Sequence, residues 1–161
     1  MKDILIEKLG EKDIDKFIEV IRLFEDVFEM KNFSLPETSH LQNLLKKESF
    51  FAFVASDNEK VVGGLTVYVL DQYYSVKPLA YIFDLAVDTK YQRQGIGRKL
   101  IAAVNNYCHE KGFEEVFVQA DKVDDYAIDF YRSTRPTEEE QVVHFYYMLN
   151  GDTTSRNHKA Q

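Results

Sequence analysis

The sequence predicts an α/β fold with a mixed sheet, on three observations. The hydrophobic period changes along the chain, from helical to alternating and back. Three strand-like runs follow one another, and a strand–helix–strand unit comes after them, which does not match a doubly wound nucleotide fold. The 161 residues, 45% of them hydrophobic, fit one domain with a full core. That domain is expected over 1–150, with 151–161 a polar, disordered tail.

Asp3 to Lys8 alternate apolar and polar residues and read as a short strand. From Asp13 onward Ile14, Phe17, Ile18, Ile21, Phe24 and Phe28 recur at three- and four-residue steps, the buried stripe of an amphipathic helix. Its exposed face carries Glu25, Asp26 and Glu29. A loop containing Pro36 leads to a second, shorter helix with Leu41, Leu44 and Leu45 as its apolar side.

Phe50 to Ala55 then reads as a strand, Asp57-Asn58-Glu59-Lys60 as a tight turn, and Val61 to Leu70 as the hairpin partner. Gly63-Gly64 inside that partner predicts a bulge or a close backbone approach. Leu79 to Val87 is apolar enough for a central strand. Gly95 to Lys111 is helical, with Ile96, Leu100, Ala103, Val104 and Tyr107 as its buried side and Gly112 as its stop. Val116 to Ala120 reads as a strand, Asp124 to Ser133 as a helix, and Val142 to Leu149 as a last strand. The expected order is β-α-α-β-β-β-α-β-α-β.

The formal net charge of -7 argues against nucleic acid as a partner and suits attraction of cationic ligands. Cys108 is the single cysteine, so no intrachain disulfide forms, and its helical setting reads as inert core. The four histidines show no metal-ligand spacing, and no metal site is expected. The N-terminal segment is charged throughout and no apolar run reaches membrane-spanning length. A cytoplasmic protein with no membrane partner is the expectation.

The informative stretch runs from Asp84-Leu85-Ala86-Val87 to Gln92-Arg93-Gln94-Gly95-Ile96-Gly97. A strand ends, a polar loop turns, and a helix begins. A helix N-terminus offers unpaired N–H groups and the positive end of its dipole, and so attracts anions. Gly95 and Gly97 lack a Cβ, which lets a pyrophosphate approach the backbone. Arg93 and Arg98 would add charge at the rim. The phosphate-loop ending Gly-Lys-Ser/Thr is missing, and Leu100 breaks the Gly-x-Gly-x-x-Gly dinucleotide pattern.

What remains, Gln/Arg-x-x-Gly-x-Gly after a Leu-x-Val strand, resembles the GNAT superfamily of acetyltransferases, and the resemblance spans roughly Ile4 to Leu149. It implies a mixed, mostly antiparallel central sheet with helices on both faces, and acetyl-CoA as cosubstrate. Leu85, Ala86, Val87, the loop Gln92 to Arg98, Asp124 and Tyr131 would bind that cosubstrate. Tyr81 to Val87, Val118-Gln119-Ala120-Asp121, Asp124-Asp125 and His144-Phe145 are similar to the aminoglycoside 3-N-acetyltransferases of the gentamicin type. Most members carry Asn where Asp124 stands, and many carry a Gly where Ser133-Thr134-Arg135-Pro136 runs here.

In the reaction so implied, an amine attacks the thioester carbonyl directly, through a tetrahedral intermediate. The oxyanion needs a fixed donor, which the family pattern assigns to the backbone N–H of Val87. Tyr131, within Ala127-Ile128-Asp129-Phe130-Tyr131, matches the family's acid for the departing thiolate; a packed aromatic is the alternative. Asp84 stands in a central strand, on the face opposite Leu85 and Val87. A buried carboxylate is costly unless paired or functional, so Asp84 reads equally as base, amine-binding group or structural carboxylate.

Asp121, Asp124 and Asp125 would seat a cationic amine, or Asp124 would cap its helix with Asp125 complementing the dipole. Glu138-Glu139-Glu140 reads as a solvated loop. The expected function is acetyl transfer to a cationic small-molecule amine, an aminoglycoside first. A polyamine, a peptide amine or a non-catalytic CoA-binding module are the alternatives. The apolar run Phe145-Tyr146-Tyr147-Met148 would allow a homodimer seam.

Overall fold

Asn58 and Glu59 both adopt positive φ, 49° and 69°, the geometry of a two-residue hairpin turn. They join β2 (Phe50–Asp57) to β3 (Lys60–Leu70). In this computed structural model, which describes residues 3–150, the hairpin is the centre of a five-stranded sheet. The expected tail 151–161 lies outside the described residues.

The order in the sheet follows the chain: β1 (Ile4–Lys8), β2, β3, β4 (Leu79–Val87), β5 (Glu115–Val118). The first three pairings are antiparallel and β4–β5 is parallel. Between β4 and β5 the chain crosses over through α3 (Ile96–Glu110), as a parallel pair requires.

Two cores lie on opposite faces of the sheet. On one, α3 contributes Ile96, Leu100, Ile101, Val104 and Cys108 against Phe51, Phe53, Val62, Leu65, Val67 and Ile82. On the other, α1 (Ile14–Val27) and α2 (Thr38–Lys46) contribute Phe17, Val20, Phe24, Leu41 and Leu45 against Phe50, Ala52, Val54, Val61 and Ala86. The helices therefore cover both faces, as the resemblance implied. Val20, outside the expected stripe of α1, is fully buried because it sits over Gly64. Of the bulge or close approach expected at Gly63-Gly64, the glycines show the close approach, while the extra residue of β3 is Val62, just before them. The β2–β3 register shifts at Ala55/Ser56, and a Cβ on Gly64 would lie 2.4 Å from Val20 Cγ2 and 2.9 Å from the Phe53 carbonyl.

The last strand is a correction. Residues 142–149 form no strand, and the described chain ends its regular structure with α4 (Asp125–Ser133). Val142, Val143, Phe145, Tyr147 and Leu149 are all exposed. The run is apolar at adjacent positions, so neither register buries one face and shows water the other. The sheet edge it would need is also short, because β5 stops at Val118 rather than Ala120.

Candidate active site

The site begins where two strands part. β4 pairs with β5 only from Leu79 to Ile82, against Glu115 to Val118. β4 continues to Val87 with β3 on one side and no described strand on the other. The Asp88 N–H donates to the Val62 carbonyl, toward β3. Strand alternation then turns the N–H and C=O of Val87 the other way, into the gap. Gln92 Nε2 donates to that Val87 carbonyl at 3.1 Å.

A bulge sets which side chains face which way. Leu65 pairs with Leu85 but Val67 pairs with Ile82, so Thr66 alone opposes both Phe83 and Asp84. Ala80 and Ile82 belong to the core under α3, and Leu85 and Val87 pack against it. Ala86 belongs to the core under α1. Phe83 and Asp84 thus both turn to the α1 face, and Asp84 lies opposite Leu85 and Val87 as expected. The buried Thr66, which sequence reasoning passed over, accepts the Asp84 N–H at its Oγ1. A small hydroxyl among the apolar residues of β3 was the available signal.

The loop after β4 makes a 3-10 turn at Thr89–Tyr91, capped by Asp88, and reaches α3 through Gly95. Gly95 has φ +83°, which favours glycine, and a Cβ there would meet nothing within 4 Å. The approach to the helix N-terminus is open on that side. Gly97 has a packing reason beside the expected one. Its missing Cβ makes room for Phe130 of α4. Its backbone stays in the first turn of α3 with Ile96 and Arg98, whose N–H groups lie at the positive end of the dipole.

Arg93 stands 6.0 Å over the ring of Tyr126, and the Tyr126 hydroxyl donates to Gln92 Oε1 at 3.4 Å. The first turn of α4 thereby reaches the loop. No pattern in the sequence marks Tyr126, which is an exposed helix position.

Tyr131 lies deeper. Its hydroxyl oxygen is buried and makes no hydrogen bond to the described residues. Burial holds its pKa well above that of a free phenol, and the carboxylates of Asp84 and then Asp124 push the same way. Asp84, Asp124 and Tyr131 therefore share one electrostatic neighbourhood. Asp124 is also the N-cap of α4, its Oδ1 accepting from the Ala127 N–H at 3.0 Å. Asp125 stands exposed in the first turn of α4, and Asp121 is exposed just before it. At the far end of α1, Glu25, Asp26 and Glu29 line a shallow depression with Arg22, Met30 and Lys31. Glu138-Glu139-Glu140 is exposed, and Glu139 pairs with Arg132.

The residues fit a CoA-type donor on two counts. The cradle at Gly95 is open, and the Tyr131 hydroxyl is buried without a hydrogen-bond partner among the described residues. Among the described residues no group of His, Cys, Asp and Glu has the arrangement of a metal site. No described helix is long and apolar enough to cross a membrane.

Known proteins share this architecture. An aminoglycoside acetyltransferase from an uncultured soil metagenomic sample, solved in complex with trehalose and with sisomicin, is 70% identical. The match covers 91% of this chain and 96% of that one, with a TM-score of 0.90. A second soil metagenomic aminoglycoside acetyltransferase is 26% identical over 91% of this chain and 99% of its own, with a TM-score of 0.84. Human N-acetyltransferase 8 is 30% identical over 81 residues, which is 50% of this chain and 36% of that protein's length. The chain thus spans about a third of that human relative. The profile of the Acetyltransferase (GNAT) family matches residues 17–134. With the parted strands, the glycine-gated helix and the buried tyrosine in place, the chain belongs to the GNAT family of acetyltransferases.

Proposed function

We propose that this enzyme transfers the acetyl group of acetyl-CoA to an amine of an aminoglycoside, at the 3-N position, by direct attack. The observation that carries the reading is Tyr131. Its buried, unpartnered hydroxyl shares the field of Asp84 beside the gap between β4 and β5. The 70% identical relative holding sisomicin, and the match of Tyr81 to Val87 to the 3-N branch, support the acceptor.

Acetyl-CoA supplies an activated acyl group, and the chain's residues do the rest. The α3 N-terminus, with Gln92, Arg93, Gln94, Gly95, Ile96, Gly97 and Arg98, neutralises the pyrophosphate. The free edge of Leu85, Ala86 and Val87 holds the pantetheine arm, and the Val87 N–H stabilises the oxyanion. Tyr131, which its raised pKa keeps protonated, donates a hydrogen bond to the departing thiolate and stabilises the charge it carries. Asp84 receives the ammonium and the proton it must lose. Asp121, Asp124 and Asp125 hold the acceptor's other ammonium groups, with Asp124 serving also as the α4 cap. The acceptor class is cationic, and the protein acts in the cytoplasm as a single domain over 1–150.

The exposed apolar run 142–149 favours a homodimer through this segment. Light scattering over a range of concentrations tests it, and a monomer throughout refutes it. The function itself is tested by thiol release from acetyl-CoA against gentamicin-type aminoglycosides, polyamines and lysine peptides. NMR of the product locates the acetyl group. Turnover with polyamines or peptides alone refutes the acceptor, and acetylation at another amine refutes the position.

A further inference from the structure

Aromatic rings gather on the α1 face of β3, β4 and β5, beside Asp84. Tyr68 meets Phe83 edge-on, with centroids 5.5 Å apart and planes at 86°. Phe83 meets Tyr81 in the same way, at 5.8 Å and 89°. Tyr81 lies flat on Phe117 of β5 at 4.8 Å, with an interplanar angle of 6°. The Tyr81 hydroxyl donates to Gln119 Oε1 at 3.2 Å, which fixes the ring's rotation. None of these four is fully buried; Tyr68 is 38% exposed and the others are half-buried.

An aromatic row of this kind usually lies beneath a helix. Here α1 packs chiefly on β3 and β4, yet its buried residues cluster with Phe50, Ala52, Val54, Val61 and Ala86 rather than with these rings. Tyr68 is exposed and the other rings are part-exposed, on the same face of the sheet as Asp84. The bulge is the cause: it brings Phe83 and Asp84, neighbours in sequence, onto one face. Asp84 raises the hydroxyl pKa of Tyr68 and Tyr81, second to burial in each case, so its charge is felt along the row.

We propose that Tyr68, Phe83 and Tyr81 are the specificity wall for the acceptor, stacking on the apolar face of an aminosugar ring while Asp84 takes an ammonium from its edge. The inference rests on the acceptor class proposed above. An aminosugar in a chair form has C–H bonds on its faces and ammonium and hydroxyl groups at its rim. Its faces suit aromatic rings, and its ammonium groups gain from both the carboxylate and the ring quadrupoles. A linear polyamine has the charge but no ring face, so the wall separates the two classes. A site built of carboxylates alone would not.

The test is direct binding by calorimetry, followed by steady-state kinetics. Wild type, Phe83→Leu, Tyr81→Leu and Tyr81→Phe are titrated with a gentamicin-type aminoglycoside, with spermidine and with acetyl-CoA. Circular dichroism confirms folding, and either leucine variant suffices if the other fails to fold. The leucine variants should raise the aminoglycoside Kd about fivefold to tenfold. They should leave the spermidine and acetyl-CoA constants within about twofold, and Tyr81→Phe, which keeps the ring, should stay near wild type. Unchanged aminoglycoside binding in the leucine variants overturns the wall, as does an equal loss for all three ligands. Wild-type protein that fails to bind the aminoglycoside at all overturns it too. Tight, ring-dependent binding without turnover leaves the wall standing and removes the proposed function instead.

Discussion

The ring of Phe130 occupies the place where a Cβ on Gly97 would stand: its Cε1 and Cζ atoms lie 2.8 Å from that point. The relationship seats α4 against the first turn of α3, and so places Tyr131 relative to the helix N-terminus. Gly97→Ala should therefore destabilise by about 1–3 kcal/mol, as overpacking does. Phe130→Leu in the same chain should recover much of that loss. Urea unfolding of the two single variants and the double variant measures the coupling, and strict additivity would mean that the two residues do not interact.

Tyr131→Phe removes one oxygen from a buried position where it makes no hydrogen bond. Stability should hold or rise slightly, because no partner is left unsatisfied. On the proposed mechanism kcat should fall by about 10²-fold or more, with acetyl-CoA binding little changed. Stopped-assay kinetics beside a melting curve read both. A large loss of stability with normal turnover would mean that the hydroxyl serves the fold.

Gly64 is the tightest point of the sheet. Alanine there would place a Cβ 2.4 Å from Val20 Cγ2 and 2.9 Å from the Phe53 carbonyl. The side chain can shift but the carbonyl cannot, so the cost should be about 1–3 kcal/mol. For a chain of this size that lowers Tm by roughly 2–4 °C per kcal/mol. Calorimetric melting of Gly64→Ala checks it.

Alkaline pH should unfold the protein early. Burial pushes the Cys108 thiol from 9.0 up to about 11, and burial raises the Tyr131 hydroxyl above its usual 10.0. Both groups hold their protons longer in the folded chain than in the unfolded one. Their contribution is complete below pH 9.0 and is lost as pH rises, for Cys108 between 9.0 and about 11. The urea midpoint should be flat to about pH 8.5 and fall beyond it. Cys108→Ala, by removing one of the groups, should flatten the first part of the fall.

Much of this was legible in the chain. The bounds of β4, Leu79 to Val87, and the hairpin at Asn58-Glu59 follow from apolar runs and turn residues. The glycine-gated helix start at Gly95 does too, because φ +83° leaves a trace in composition. The bulge at Phe83-Asp84 left none, since an alternating pattern does not reveal where one residue is added. The purpose of Gly97 was hidden for a related reason: its neighbour in space, Phe130, is far off in sequence. The run 142–149 shows the opposite error, in which strand-like residues found no edge to complete.

The single parallel pairing has a further consequence. Because β4 and β5 run the same way and part at the same end, the sheet acts as a partition with one doorway. On the proposed function the thioester arrives from the α3 side and the amine from the α1 side. On that arrangement neither path crosses the other. The acceptor side can also be rebuilt for a new amine, ring by ring, while the apparatus that grips the donor stays untouched.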